Sequence, residues 1–122
     1  AWYRTWSISG VRDTSVTPLL LIDFIKQSVQ ESTAEKIVVV THHLPTRQVV
    51  EPQHLGSDIN SALLQNLVIS LPKRIDVWIY GHSHTNIDTT IGNTKIVCNQ
   101  LGYTFQNEHL RNGFDSAKAI DF

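Results

Sequence analysis

The apolar positions of the chain fall into two alternating periods, one helical and one extended. Leu21, Phe24, Ile25 and Val29 recur at helical spacing, with Lys26, Gln27 and Gln30 on the other side. Thr17-Pro18 just ahead supplies an N-cap and a proline at the first helical position, so the pattern predicts a surface helix ending near Ser32. Ile37-Val38-Val39-Val40 is an unbroken β-branched run, which predicts a strand buried on both faces and stopping at Thr41-His42-His43. Pro45, Pro52 and Gly56 make Leu44 to Gly56 a loop. Ser57 or Asp58 can then cap a second helix, with Ile59, Leu63, Leu67 and Leu71 one turn apart and Pro72 closing it.

Asp76 to Tyr80 reads as another short strand, and it too runs into histidines, at Gly81-His82-Ser83-His84. Ile87 to Ile91 and Lys95 to Cys98 flank Gly92-Asn93, a hairpin signal. Short strands are also expected at Trp2 to Ile8 and near Ala117 to Ile120. The fold class is therefore α/β: a mixed sheet with two helices, and no internal repeat or low-complexity tract.

Length and composition narrow the classes. With 122 residues the chain makes one domain, 1–122, of a size that buries about two-thirds of its unfolded surface. A net charge of -1 gives no overall field to gather nucleic acid or an anionic membrane, so neither is expected as a partner. Leu19 to Ile22 and Ile37 to Val40, the longest apolar stretches, fall far short of the roughly 20 residues that span a bilayer. Ala1 to Gly10 lacks the basic start and apolar run of a secretory signal. Cys98 is the only cysteine, which rules out an internal disulfide, reads as a buried strand thiol, and favours a cytoplasmic location. The chain has no methionine, as expected after removal of an initiator or for a piece of something longer.

The chemistry sits where the strands end. Two buried strands separated by a helix both deliver histidines at their C-terminal ends, which is where open α/β sheets place their ligands. Imidazole is the commonest side-chain ligand for divalent transition metals. In an extended segment residues two apart point the same way, so His82 and His84 are expected to face one pocket, with Gly81 giving room for a sharp turn. His42 and His43 are adjacent and would not readily serve one metal from an extended backbone; His42 is the favoured ligand and His43 is left to substrate or to a supporting contact. His54 and His109 lie in loop-like stretches and are expected at the surface.

The stretches Ile37 to Pro45 and Asp76 to His84 resemble the last two metal-binding motifs of the calcineurin-like metallophosphoesterases. The likeness continues through Ile91 to Asn99 and Gly102-Tyr103, which resemble the segment after the Gly-His-x-His motif in one bacterial branch. The resemblance implies a four-layer α-β-β-α sandwich, of which this chain is the C-terminal half, and two divalent metals, manganese, iron or zinc. By that likeness His42 and His82 would bind one metal and His84 the other; His43, from its own place beside His42, is the candidate catalytic residue. The implied activity is hydrolysis of phosphate mono- or diesters by a hydroxide held between the metals.

The family's Asp-x-His, Gly-Asp-x-x-Asp and Gly-Asn-His motifs do not occur here. The domain is thus expected to be incomplete, inactive alone, and able to hold at most one metal well; its partners would be a small phosphate ester and the missing N-terminal half. Where the branch reads Asn-Pro-Arg-Gly-Tyr, this chain has Asn99-Gln100-Leu101-Gly102-Tyr103, so the arginine contact to phosphate is absent. The alternative is a non-catalytic scaffold or binding module that keeps the fold with a partial or empty metal site. The sequence leaves the oligomeric state and the substrate open.

Overall fold

A computed structural model describes residues 18–50 and 75–121. The strand expected at Trp2 to Ile8, the N-cap expected at Thr17, the second helix from Ser57 or Asp58 to Leu71, and His54 lie outside the described residues.

Helix α1 spans Pro18–Glu31, beginning on the proline as its fixed φ favours. Its inward stripe differs from the expected one by one residue. Ile25 and Val29 are buried and Leu21 and Ile22 pack partly against the core, whereas Phe24 is 42% exposed. A step of one residue turns a helix by about 100°, and the stripe through 22, 25 and 29 leaves position 24 on its flank.

Four short strands form one mixed sheet: β1 (Val38–Val40), β2 (Val77–Ile79), β3 (Thr89–Ile91) and β4 (Thr94–Val97), in the order β1-β2-β4-β3. β1 pairs with β2, and β2 with β4, in parallel; β3 pairs antiparallel with β4. The Gly92-Asn93 signal is realised as the two-residue turn between β3 and β4. Gly92 has φ +61 and Asn93 does not share it, the glycine-first pattern of a type II′ turn.

β2 and β4 are the interior strands, and Val77 and Trp78 of β2 are both fully buried. Trp78 shares a core with Ile25 and Val29 of α1, Leu44, Val49, Val50, Ile75, Tyr80, Ile96 and Cys98. Each fully buried aliphatic or aromatic side chain here stabilises by about 1.5–3 kcal/mol. β1 departs from expectation: it is the sheet's edge among the described residues, Val38 and Val39 are half-buried, and Val40 is 58% exposed. An unbroken valine run signals β propensity, but two-sided burial also needs an element over each face.

Asp76 sets the register of β1 on β2. Its carboxylate accepts from the Ile37 backbone N–H at 2.8 Å and from the Lys36 ammonium at 3.3 Å, while its backbone N–H donates to the Ile37 carbonyl. Cys98 is buried as expected, just past β4, where its thiol lies within 3.4 Å of the Thr85 and Ile87 carbonyls. No strand forms at Ala117 to Ile120. Asp115 instead closes a turn by accepting from the Ala117 and Lys118 backbone N–H groups, and the Lys118 ammonium pairs with Asp88 and the Cys98 carbonyl. Local hydrogen bonds from an aspartate compete with strand pairing, and here they prevail. Among the described residues no helix is long and apolar enough to cross a membrane.

Candidate metal centre

The parallel ladder between β1 and β2 outlasts the strands themselves. The Thr41 N–H donates to the Ile79 carbonyl at 2.9 Å, and the Gly81 N–H donates to the His42 carbonyl at 3.1 Å. His42 and the start of the 82–84 segment are thus held side by side at the C-terminal rim.

The chain bends at His42 and His43 rather than continuing extended. Thr41 fixes that bend: its hydroxyl donates to the His43 carbonyl at 2.7 Å and accepts from the Trp78 indole N–H at 2.9 Å. A fully buried tryptophan on β2 therefore anchors the backbone that carries the two histidines. The bend overturns the reasoning that kept adjacent histidines apart, because that reasoning assumed extended backbone. The rings of His42, His43 and His82 form a near-equilateral triangle, with centroids 5.1, 4.9 and 5.1 Å apart.

One ligand atom from each of these three rings lies within 4.8 Å of the others, so the cluster could hold a metal ion. His42 Nε2 and His82 Nδ1 are 3.0 Å apart, close to the roughly 3.4 Å expected of two nitrogens bound to one tetrahedral zinc at about 2.0–2.1 Å. The His43 Nδ1 is buried with no hydrogen-bond partner. A buried orphan of that kind costs about 1–3 kcal/mol.

Electrostatics favour a ligand's protonation state at His43 and His82. Partial burial holds the His43 imidazole below its ordinary pKa, and repulsion from His42 and His82 adds to the effect. Burial also lowers that of His82, helped by His42 and His84. Neutral imidazole is the form that binds metal.

His84 does not join the triangle. Its Nδ1 lies 2.9 Å from Glu108 Oε2, and its ring meets Tyr103 edge-on at 4.5 Å. The expectation that His82 and His84 face one pocket presumed extended backbone, whereas both adopt left-handed conformations, φ 76 and φ 56. An L-residue there is strained by about 1–2 kcal/mol, and such strain collects at functional sites. Gly81, expected to supply the sharp turn, has no positive φ, and a Cβ there would make only ordinary contacts with His42 and Gln100.

Gln100 and Asn112 hold the strained segment in place. The Gln100 side chain accepts from the His84 N–H at 2.8 Å and donates to Ser83 Oγ and the Thr85 carbonyl at 3.0 and 2.9 Å. Asn112 donates to the His84 carbonyl at 3.1 Å. The backbone N–H of Gln100 is used as well, donating to Asn86 Oδ1.

Sequence reasoning missed Thr41, Gln100, Glu108 and Asn112. Thr41 alone left a local signal, as a hydroxyl at a strand end beside histidines; the others act from 16 to 28 residues away in an aperiodic stretch. His109, expected at the surface, is half-buried and its Nδ1 has no hydrogen-bond partner.

No known protein family and no solved structure matches the chain. An uncharacterized protein of Acanthamoeba polyphaga mimivirus is 29% identical over 118 residues, covering 91% of this chain and 40% of that protein. The chain thus spans well under half the length of the relative it matches.

Proposed function

We propose that this chain is the histidine-bearing C-terminal half of a metal-dependent phosphoesterase of the calcineurin-like type, built as an α-β-β-α sandwich and hydrolysing phosphate mono- or diesters. One observation carries the reading: three imidazoles converge at the C-terminal ends of two adjacent parallel strands, with a buried ring nitrogen of His43 left without a partner.

His42, His43 and His82 are the side chains that would hold the ion. An all-imidazole set suits zinc or iron better than manganese, which prefers carboxylate. Bound there, a divalent metal would lower the pKa of water toward about 7 and offset charge on phosphoryl oxygens. The chain's own contribution is orientation, from the Thr41 and Gln100 hydrogen bonds, and neutrality, from the burial of His43 and His82. His84, tied to Glu108, stands beside this cluster and is the ligand left for a second metal, whose carboxylates the missing half would bring.

The test joins the chain to a polypeptide bearing Asp-x-His and Gly-Asn-His and assays an aryl phosphodiester with zinc, iron or manganese. Hydrolysis that is lost on His42→Ala supports the reading, and inactivity with both parts folded defeats it. The second reading, a scaffold with a partial site, draws on the same Glu108 contact, which occupies one nitrogen of His84. Isothermal titration singles out an empty scaffold, which takes up neither zinc nor manganese, and a scaffold that binds metal at a partial site is told apart by its failure to hydrolyse the diester in the joined assay.

A further inference from the structure

We propose that Glu108 is the positioning residue of His84: its carboxylate holds the imidazole with the proton on Nδ1 and so presents Nε2 as the nitrogen that meets metal or substrate. This rests on the reading of the rim as part of a phosphoesterase site, and it extends that site to a residue outside the histidine motifs.

The geometry is specific. Glu108 Oε2 takes the Tyr103 backbone N–H at 2.6 Å and lies 2.9 Å from His84 Nδ1. A backbone amide can only donate, so this oxygen is an acceptor, and it fixes Nδ1 as the protonated nitrogen of the ring. The other nitrogen keeps its lone pair. Pairing of a ligand histidine's second nitrogen with a carboxylate is the usual way a protein sets both the tautomer and the ring orientation.

The seat for the carboxylate is built into the backbone. Gly102 has φ +72, and a Cβ there would overlap Glu108 Oε2 and approach the Glu108 Cβ to 2.9 Å. Only glycine combines that φ with that clearance. The Glu108 side chain is 19% exposed, well screened for a carboxylate, and follows the left-handed Asn107 that separates two single-turn 3-10 helices, Thr104–Gln106 and Glu108–Leu110. On the other side His84 is held by both backbone groups, through Gln100 and Asn112, and by the Tyr103 ring. A surface ion pair of purely structural use would not require a left-handed glycine beneath it and a strained histidine above it.

The two acceptor contacts share one oxygen, which makes the conservative variant informative. In Glu108→Gln the amide carbonyl can take both N–H groups and preserve the tautomer without the charge. Glu108→Ala removes the acceptor, and Gly102→Ala displaces it without altering any titratable side chain.

The experiment reads the His84 tautomer directly, by long-range proton–nitrogen correlation on the metal-free, nitrogen-15-labelled chain at mildly alkaline pH. The wild type and Glu108→Gln should carry the proton on Nδ1, whereas Glu108→Ala and Gly102→Ala should shift it toward Nε2. A wild-type His84 protonated on Nε2 overturns the proposal and needs no variant to fold. So does a Glu108→Ala spectrum unchanged from wild type.

Zinc titration adds the functional readout. In the chain joined to the polypeptide bearing Asp-x-His and Gly-Asn-His, uptake of the second zinc, the one left to His84, should weaken about 10–100-fold in Glu108→Ala, with Glu108→Gln recovering most of it. Uptake unchanged in Glu108→Ala removes Glu108 from the site even if the metal reading stands. A wild type that takes up no metal defeats that reading alone, and the tautomer still decides the role of Glu108.

Discussion

Replacing His82 by glycine and, separately, by alanine divides what its side chain does from what its backbone costs. At φ 76 the residue lies in the left-handed region, which costs an L-amino acid about 1–2 kcal/mol and glycine almost nothing. Both variants lose the same ring and the same 3.0 Å contact with His42 Nε2, so those losses cancel between them. The backbone difference remains. At an ordinary position alanine is more stable than glycine by roughly 0.5–1 kcal/mol, because glycine gains more freedom on unfolding. Relief of the strain outweighs that at position 82, and the glycine variant should be the more stable of the two by about 1 kcal/mol. For a domain of this size that is about 3–6 °C in Tm. Thermal unfolding followed by circular dichroism, in chelator, measures it; isothermal titration with zinc measures the other half. Both variants should lose zinc uptake. An alanine variant at least as stable as the glycine one refutes the left-handed backbone, and wild-type uptake by either removes His82 from the centre.

Two further outcomes follow from the same geometry. Thr41→Val keeps the side-chain shape but leaves the buried Trp78 indole N–H without its acceptor, so urea unfolding should show a loss of about 1–3 kcal/mol, recovered largely by Thr41→Ser. Zinc uptake should weaken with it, because the bend that aims His43 loses the same hydroxyl. The pH dependence has a definite sign: His43 and His82 are held below the ordinary 6.5, so between their folded values and 6.5 the unfolded chain binds more protons. Metal-free stability should therefore rise with pH across that interval and level off above it, with zinc uptake rising over the same range; uptake flat across it argues against imidazole ligands. Glu108, held below its ordinary value chiefly by the Tyr103 N–H, with burial opposing and His84 and Arg111 assisting, adds a second loss of stability in stronger acid.

The elements that depend on local pattern were legible in the sequence. Pro18 and the spacing of Leu21, Ile25 and Val29 give α1, the β-branched runs give β1 and β2, and Gly92-Asn93 gives the β3–β4 turn, because each is decided within a few residues by steric preference and periodicity. The burial of β1 was not legible, since Val40 is covered or bare according to what lies across the sheet rather than by its own β-branching. Nor was the grouping of the histidines. His42 and His82 could be matched because the strands that end in them are neighbours, but whether His43 or His84 completes the set depends on a bend held by Trp78 and on two left-handed residues held by Gln100 and Asn112. Those contacts span 16 to 37 residues and leave no periodic trace.

The rim concentrates features that reduce stability. Two histidines in left-handed backbone, two imidazoles held neutral by burial and mutual repulsion, and an orphaned ring nitrogen occupy one edge of a sheet whose centre is close-packed apolar. None of these helps folding, and each is braced from behind. Thr41 ties the bend to the buried indole, and the stretch from Gln100 to Asn112 holds the backbone and ring of His84, with Gln100 also donating to the Ser83 hydroxyl. The stretch after β4 is thus the wall against which the histidine loop is set, which is why it can stay aperiodic and still be closely hydrogen-bonded. A fold that left this edge to its own preferences would relax the φ angles, separate the rings and pair the free nitrogen with water. Strain opposed by long-range hydrogen bonds at a strand-end rim is the arrangement expected of residues positioned for a ligand rather than for the core.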